Sequence, residues 1–432
     1  MTPALVDPIT RGWAVVTSAG VVRLGLGFVA SLVIARTLGP AAFGTYAVLA
    51  ATVGIVGGLA EGGLTEAAVL RMSAIWPEQP GEAQQRARTF FWLRLGLAGA
   101  VVAVGCVLAG PFAQGLLTTD EGLLRWALLG IVATAASGAV SAMLQATGAF
   151  GRMSSLTLFN TGLTAVLAIA LALAARLDLL AALIVLGIGT SLATFWLGAA
   201  MLPARWRLRL PQLNELRSEA GHLIRTGRWL WLASVFAMLT ANAEVLLLNR
   251  WAALPLVGAY ALALNLATKA DLVNTSLYTV LLPGVTRLDE RAKIAAYLRR
   301  GVVRGGLIAL GLLVLIPLAE PLITLVYGAE YATAVTFFRL LLGVMILDTL
   351  LTPFLLLPLA YRQPKLLAAA DGLRAVTLVL VAIGFIPIYG AFGAILARFA
   401  ARMAGAVLVL GVLWLGRPAL QVQHEEAPSV SQ

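Results

Sequence analysis

From residue 12 onward the chain alternates apolar runs of 21 to 28 residues with short polar breaks, and no polar stretch is long enough to fold as a soluble domain. A hydrocarbon core about 30 Å thick is crossed by roughly 20 apolar residues in a helix, so each run has the length of one span. The residue-by-residue alternation of a membrane β-barrel is absent, so the spans are expected to be helices. The pattern predicts twelve of them: 12–35, 41–62, 91–117, 124–147, 154–175, 178–202, 229–250, 256–282, 303–327, 333–360, 366–386 and 389–415. The joins between the fifth and sixth and between the eleventh and twelfth are the shortest. The first run exceeds a signal-peptide core, lacks a small-x-small cleavage pattern and has only Arg11 before it, so it reads as a retained span.

The polar breaks repeat. In "LVIARTLGPAAFGTYAVLA" (32–50) and again in "LLLNRWAALPLVGAYALAL" (246–264), Arg36 recurs as Arg250, Gly44 as Gly258, Tyr46 as Tyr260 and Ala47 as Ala261, all at an offset of 214. Each copy falls at the break after the first span of six. Trp13 and Trp229 open the two halves, and "GLTAV" (162–166) has a weaker echo in "GLRAV" (372–376) within the fifth span of each. An even number of spans per half preserves orientation, so the halves are parallel repeats. The expected fold is all-α, with two parallel six-helix lobes around a central cavity. The N-terminal lobe is 1–202, a basic cytoplasmic linker 203–228, the C-terminal lobe 229–415 and a cytoplasmic tail 416–432. The repeated corner itself reads as scaffold, duplicated with its half.

Composition agrees with this and adds a direction. Apolar residues make up 60% of the 432 and charged ones only 12%, with a mean hydropathy of +0.92, which no water-soluble chain of this length needs. Of the 31 Lys and Arg residues, 20 fall on the side of the N-terminus, four (Arg36, Arg125, Arg176 and Arg250) fall opposite, and seven lie within spans. This asymmetry puts both termini in the cytoplasm. The net charge of +11 is then mostly topology and calls for no nucleic-acid partner. The lone Cys106 allows no disulfide framework, and two histidines allow no histidine metal cluster. No Gly-Lys pair occurs, so there is no phosphate-binding Walker loop. Dinucleotide and zinc-helix signatures are also missing, and no enzymatic activity is expected.

The chain resembles the polysaccharide-transporter branch of the multidrug/oligosaccharidyl-lipid/polysaccharide exporter superfamily, which includes bacterial O-antigen flippases. The residues that carry the resemblance are Arg23 in "RLGLGF", the "ARTLGPAAFGTYA" corner, "LAEGGL" (59–64), "YGAEYATA" (327–334) and "YGAFGAILA" (389–397), in order along nearly the whole chain. What the resemblance implies is a V-shaped pair of helical lobes in the bacterial inner membrane. Such a protein moves an undecaprenyl-diphosphate-linked oligosaccharide, an O-antigen or exopolysaccharide unit, from the inner to the outer leaflet. The implied partners are the lipid-linked oligosaccharide, membrane lipid, and the polymerase and other glycan-assembly proteins. The peptidoglycan lipid-precursor flippase branch usually carries an Asp-containing segment after the first span and two further spans, neither of which is found here.

Charges inside spans are costly and usually face a bundle interior or a water-filled cavity. Arg23 lies 11 residues past the start of its span, about 16 Å at 1.5 Å per residue, and a guanidinium offers two parallel hydrogen bonds to a diphosphate. Its bland alternative is a buried ion pair with Glu61 or Glu244. Lys269 is the next cavity cation. Arg398 and Arg402, one turn apart, present either an anion-facing stripe or a pair for Asp348 or Asp371. Arg374 also counts as a cavity cation, though it stands three residues from Asp371 and the two can neutralise each other. Glu244, Asp271 and Asp348 are candidates for proton or sodium coupling, with no other cofactor expected. Glu61 and Glu66 fit an interfacial position, and Gly54, Gly58 and Gly62 mark a close-packing helix face.

Two other functions stay open on sequence grounds. A small-molecule antiporter of the drug-extrusion branch would share the fold, although a midplane arginine disfavours cationic drugs. A membrane-embedded glycan polymerase or ligase would usually present a sizeable outer loop, and this chain has only short ones.

Overall fold

The computed structural model describes residues 8–61, 63–117, 119–203, 206, 210–270, 277, 281, 291–361 and 363–415. Its main helices are α1 (Pro8–Glu61), α2 (Leu64–Ser73), α3 (Pro80–Val107), α4 (Glu121–Ala146), α5 (Phe150–Leu173), α6 (Thr190–Met201), α7 (Leu213–Trp251), α8 (Leu254–Ala270), α9 (Arg291–Val326), α10 (Ala332–Leu355), α11 (Pro364–Tyr389) and α12 (Ala391–Leu415). Short helical turns at 109–117, 179–189, 329–331 and 357–360 join or extend them. The chain is all-α, and no strand occurs among the described residues.

Ten helical stretches of the described residues are long and apolar enough to cross a membrane, and Leu254–Ala270 is a shorter apolar helix. The first of the ten, Ser18–Glu61, has 44 residues and is not one span. At 1.5 Å per residue it would extend about 66 Å, twice a hydrocarbon core. Gly39 divides it, with φ 72° and ψ 170°, a conformation essentially restricted to glycine, and Pro40 then opens the next helix where a missing N–H costs nothing. With this break and the short helix counted, the helices follow the twelve predicted spans. Of the eighth, residues 271–276, 278–280 and 282 lie outside the described residues.

By internal contacts the chain forms two compact units, Met1–Leu262 with Leu322–Thr333, and Ala263–Pro321 with Ala334–Gln432. A core of the first unit joins α2, α3 and α4 through Met72, Phe90, Phe91, Val140 and Met143, and it includes Leu202, Trp206 and Leu223. The last two belong to the stretch that reads as an inter-lobe linker. From Leu213 that stretch is the start of α7, where Glu215 reaches back to the N–H of Gln212 at 3.1 Å and closes the first turn. Arg71 pairs with Glu219 at 3.2 Å, Arg88 with Glu215 at 2.7 Å, and Trp76 meets Trp206 edge-on. This part of the chain is therefore docked on the first unit. In the second unit α11 and α12 form a closely packed hairpin, and small cores gather around Leu281, Tyr297 and Leu356 and around Ala370, Ala406 and Val409.

Candidate functional site

The repeated corner is where the two copies meet within the first unit. A Cβ on Gly44 would collide with the carbonyl oxygen of Leu254, and one on Gly258 with that of Pro40. Residues 40 and 254 are themselves related by the 214-residue offset, as are 44 and 258, so the contact is reciprocal, each copy presenting its glycine to the other's backbone. The outer hairpin of "YGAEYATA" is fastened to the first copy. The Tyr331 hydroxyl donates to the Ala35 carbonyl at 2.7 Å, Arg36 donates to the Val326 carbonyl at 3.1 Å, and Tyr327 and Tyr331 pack edge-on against Phe28 and Phe43. Gly54 and Gly58 lie against Asn242 and Met238 of α7, as a close-packing face requires. Gly62 lies outside the described residues.

Among the in-span charges of this unit, Arg23 is exposed on α1, sixteen residues and so about 24 Å from Gly39, and no carboxylate of the described residues lies within 4 Å of it. Both acids proposed as its bland partners are engaged elsewhere. Glu61 pairs with Arg94 at 3.1 Å, and Glu244, fully buried, accepts a hydrogen bond from the Tyr260 hydroxyl. Arg94 is nearly buried, and its guanidinium occupies space that a side chain at position 138, a glycine, would take. The sequence reading did not single Arg94 out. It is one of the seven in-span cations, but its partner is 33 residues away and no helical spacing links them.

The second unit contains a small, partly open pocket of about 40 Å³. Three helices supply its wall with residues at helical spacing: Leu264, Ala267 and Thr268 from α8, Leu341, Val344, Met345 and Asp348 from α10, and Arg398 and Arg402 from α12. Arg402 and Asp348 form an ion pair at 3.1 Å in which the carboxylate side chain is 11% exposed and the guanidinium 28%. Two arginines and one aspartate give the lining a formal charge of one positive unit, and of the two readings left open for these arginines the ion pair is the one observed, between Arg402 and Asp348. Lys269, half-buried, donates to Asn265 on its own helix and is not part of the lining. Arg374 pairs with Asp371 at 3.1 Å, the local neutralisation their spacing allows. Arg339, also missed by the sequence reading, pairs with Glu320 at 3.2 Å and donates to the Ile316 carbonyl. Asp271 lies outside the described residues. No group of three or more His, Cys, Asp or Glu side chains among the described residues could hold a metal ion.

Apolar helices numbering twelve by this count, a duplicated corner and ionisable side chains held inside the spans define a multi-pass membrane protein of the transporter class. The particular family follows from the chain itself: residues 9–289 match the family described as "Polysaccharide biosynthesis protein", and the chain belongs to it. A relative, the "Succinoglycan biosynthesis transport protein ExoT" of Rhizobium meliloti (strain 1021), is 27% identical over 353 residues, 77% of this chain and 66% of that protein. The chain thus matches just under two thirds of that relative's length. Among solved structures, "Lipid II flippase MurJ, inward closed conformation" superposes with a TM-score of 0.72 at 12% identity, over 92% of this chain and 87% of that one. An inward-facing "multidrug resistance MATE family transporter of the MOP superfamily" gives 0.65 at 16% identity, over 92% and 94%. At such identities the likeness is one of fold.

Proposed function

We propose that the protein is a flippase that carries a lipid-diphosphate-linked oligosaccharide from the inner to the outer leaflet of the bacterial inner membrane, with both termini in the cytoplasm. The observation that carries the reading is Arg23, an exposed guanidinium within an apolar span with no carboxylate of the described residues in reach. A charge so placed is retained for a ligand or a water-filled path, and a guanidinium suits the two oxygens of a phosphate. Family membership, the likeness to a succinoglycan transport protein and the flippase fold support the substrate class. Transport by alternating access is the mechanism expected of a repeat-built carrier. Within the second unit, Arg398 and Arg402 are proposed as further cations for the headgroup, and Glu244 and Asp348 are the proposed proton- or sodium-coupling carboxylates. A polymerase and other glycan-assembly proteins are the proposed partners, and no enzymatic step is assigned to the chain.

The reading is tested with purified protein in proteoliposomes carrying a fluorescent undecaprenyl-diphosphate disaccharide in the leaflet opposite an impermeant glycosidase. Cleavage faster than in protein-free vesicles is expected. Cleavage at the protein-free rate, together with export of a fluorescent cation by the same vesicles, would replace the flippase with a drug antiporter.

A further inference from the structure

Arg299, Arg300 and Arg304 form a basic cluster that gains a direction from α9, the helix that carries it. α9 buries one side, through Ala309, Leu312, Ala319 and Ile323, and exposes the other, where Leu307, Val314, Leu318 and Leu325 are between 49% and 76% exposed. In a chain of membrane spans, apolar side chains so exposed over the length of a helix face the acyl chains. Arg304 and Arg300 stand three and seven residues before Leu307, spacings that keep them on this same lipid-facing side, and both are exposed. Neither makes an ion pair among the described residues.

Their depth fits the headgroup layer. From Arg304 to Val326 are 22 residues, about 33 Å of helix, which is one hydrocarbon core, and Arg300 lies roughly 6 Å further in. The headgroup layer on each side is about 5–7 Å thick. With Val326 at the outer boundary and the orientation proposed above, the two guanidiniums fall at the level of the inner-leaflet phosphates, directly below the stripe that meets the acyl chains. We propose that the inner end of α9 is a binding site for an anionic phospholipid of the inner leaflet. Arg300 and Arg304 hold the headgroup phosphate, and the face beginning at Leu307 receives the chain. This site is independent of the transported substrate and of Arg23.

The test is native mass spectrometry of the full chain, delipidated in detergent and given equal amounts of phosphatidylglycerol and phosphatidylcholine. Wild type should retain phosphatidylglycerol preferentially. Arg300→Gln with Arg304→Gln should lower that retention by about fivefold per arginine, the size of one phosphate-level cation. Arg300→Lys with Arg304→Lys should keep most of it. A control pair, Arg217→Gln with Arg225→Gln, removes the same charge from the exposed side of α7 and should retain lipid as wild type does. If the glutamine pair is not recovered folded, Arg304→Gln alone reads a fivefold loss. Wild-type retention by the glutamine variant, or an equal loss in the α7 control, would overturn the proposal. So would retention of added undecaprenyl phosphate by wild type without retention of phosphatidylglycerol.

Discussion

At the scale of single residues, the in-span charges divide into those that have found an opposite charge and those that have not. Arg94 and Glu61 show what pairing implies. Removing one member of a buried ion pair leaves the other desolvated, at a cost near 3 to 5 kcal/mol, and the lower end applies here because the Glu61 side chain is 27% exposed. Arg94→Ala should therefore lower stability by about 3 kcal/mol, seen as a fall in melting temperature in detergent, and adding Glu61→Gln should recover much of the loss. An Arg94→Ala protein as stable as wild type would mean that the pair is incidental. Pairs within one helical turn were legible in the sequence, and Asp371 with Arg374 is an example. Asp348 was named as one of two partners for the α12 arginines, because only neighbouring spans could supply an acid. Arg94 with Glu61 and Arg339 with Glu320 were not legible, since their contact depends on how separate helices pack and no spacing rule reaches across that distance.

At the scale of elements, the reciprocal glycine contact sets how closely α8 and the second half of α1 can approach. Each Cβ added there meets a carbonyl oxygen of the backbone, which cannot rotate away as a side chain could. Gly44→Val and Gly258→Val should each reduce the folded, monodisperse protein recovered on size-exclusion chromatography to a small fraction of wild type. Full recovery with loss of transport would instead mark the corner as a functional loop. The duplication of the corner was readable from the unchanged internal spacing of the two copies. The docking of Trp206 and of residues 210–223 was not, because the stretch is rich in arginine and its acids, Glu215 and Glu219, find partners 127 and 148 positions away. Local charge patterning predicts solvent for such a segment, while the buried Trp206 and Leu223 hold it on the first unit.

At the scale of the whole molecule, span number follows from apolar run length, the proposed orientation rests on the placement of basic residues, and both are open to labelling. In a Cys106→Ser background, cysteine at exposed Ser218 should react with an impermeant maleimide only from the cytoplasmic side, and cysteine at exposed Ala329 only from outside. Reaction of both from one side would break the twelve-span account. The span count was legible because a Gly-Pro pair interrupts an otherwise continuous apolar stretch, and Gly39 turns the chain there. The central claim is that this arrangement carries a diphosphate-linked substrate past an arginine free to bind it. It is tested most directly by flipping of the lipid-linked disaccharide by Arg23 variants, read beside melting temperature. Loss of a charge-assisted, two-pronged contact worth about 1.5–3 kcal/mol should slow Arg23→Ala by roughly tenfold or more, with Arg23→Lys in between and melting temperatures unchanged. Wild-type flipping by Arg23→Ala would contradict the account, and so would a lowered melting temperature that Glu61→Gln or Glu244→Gln restores.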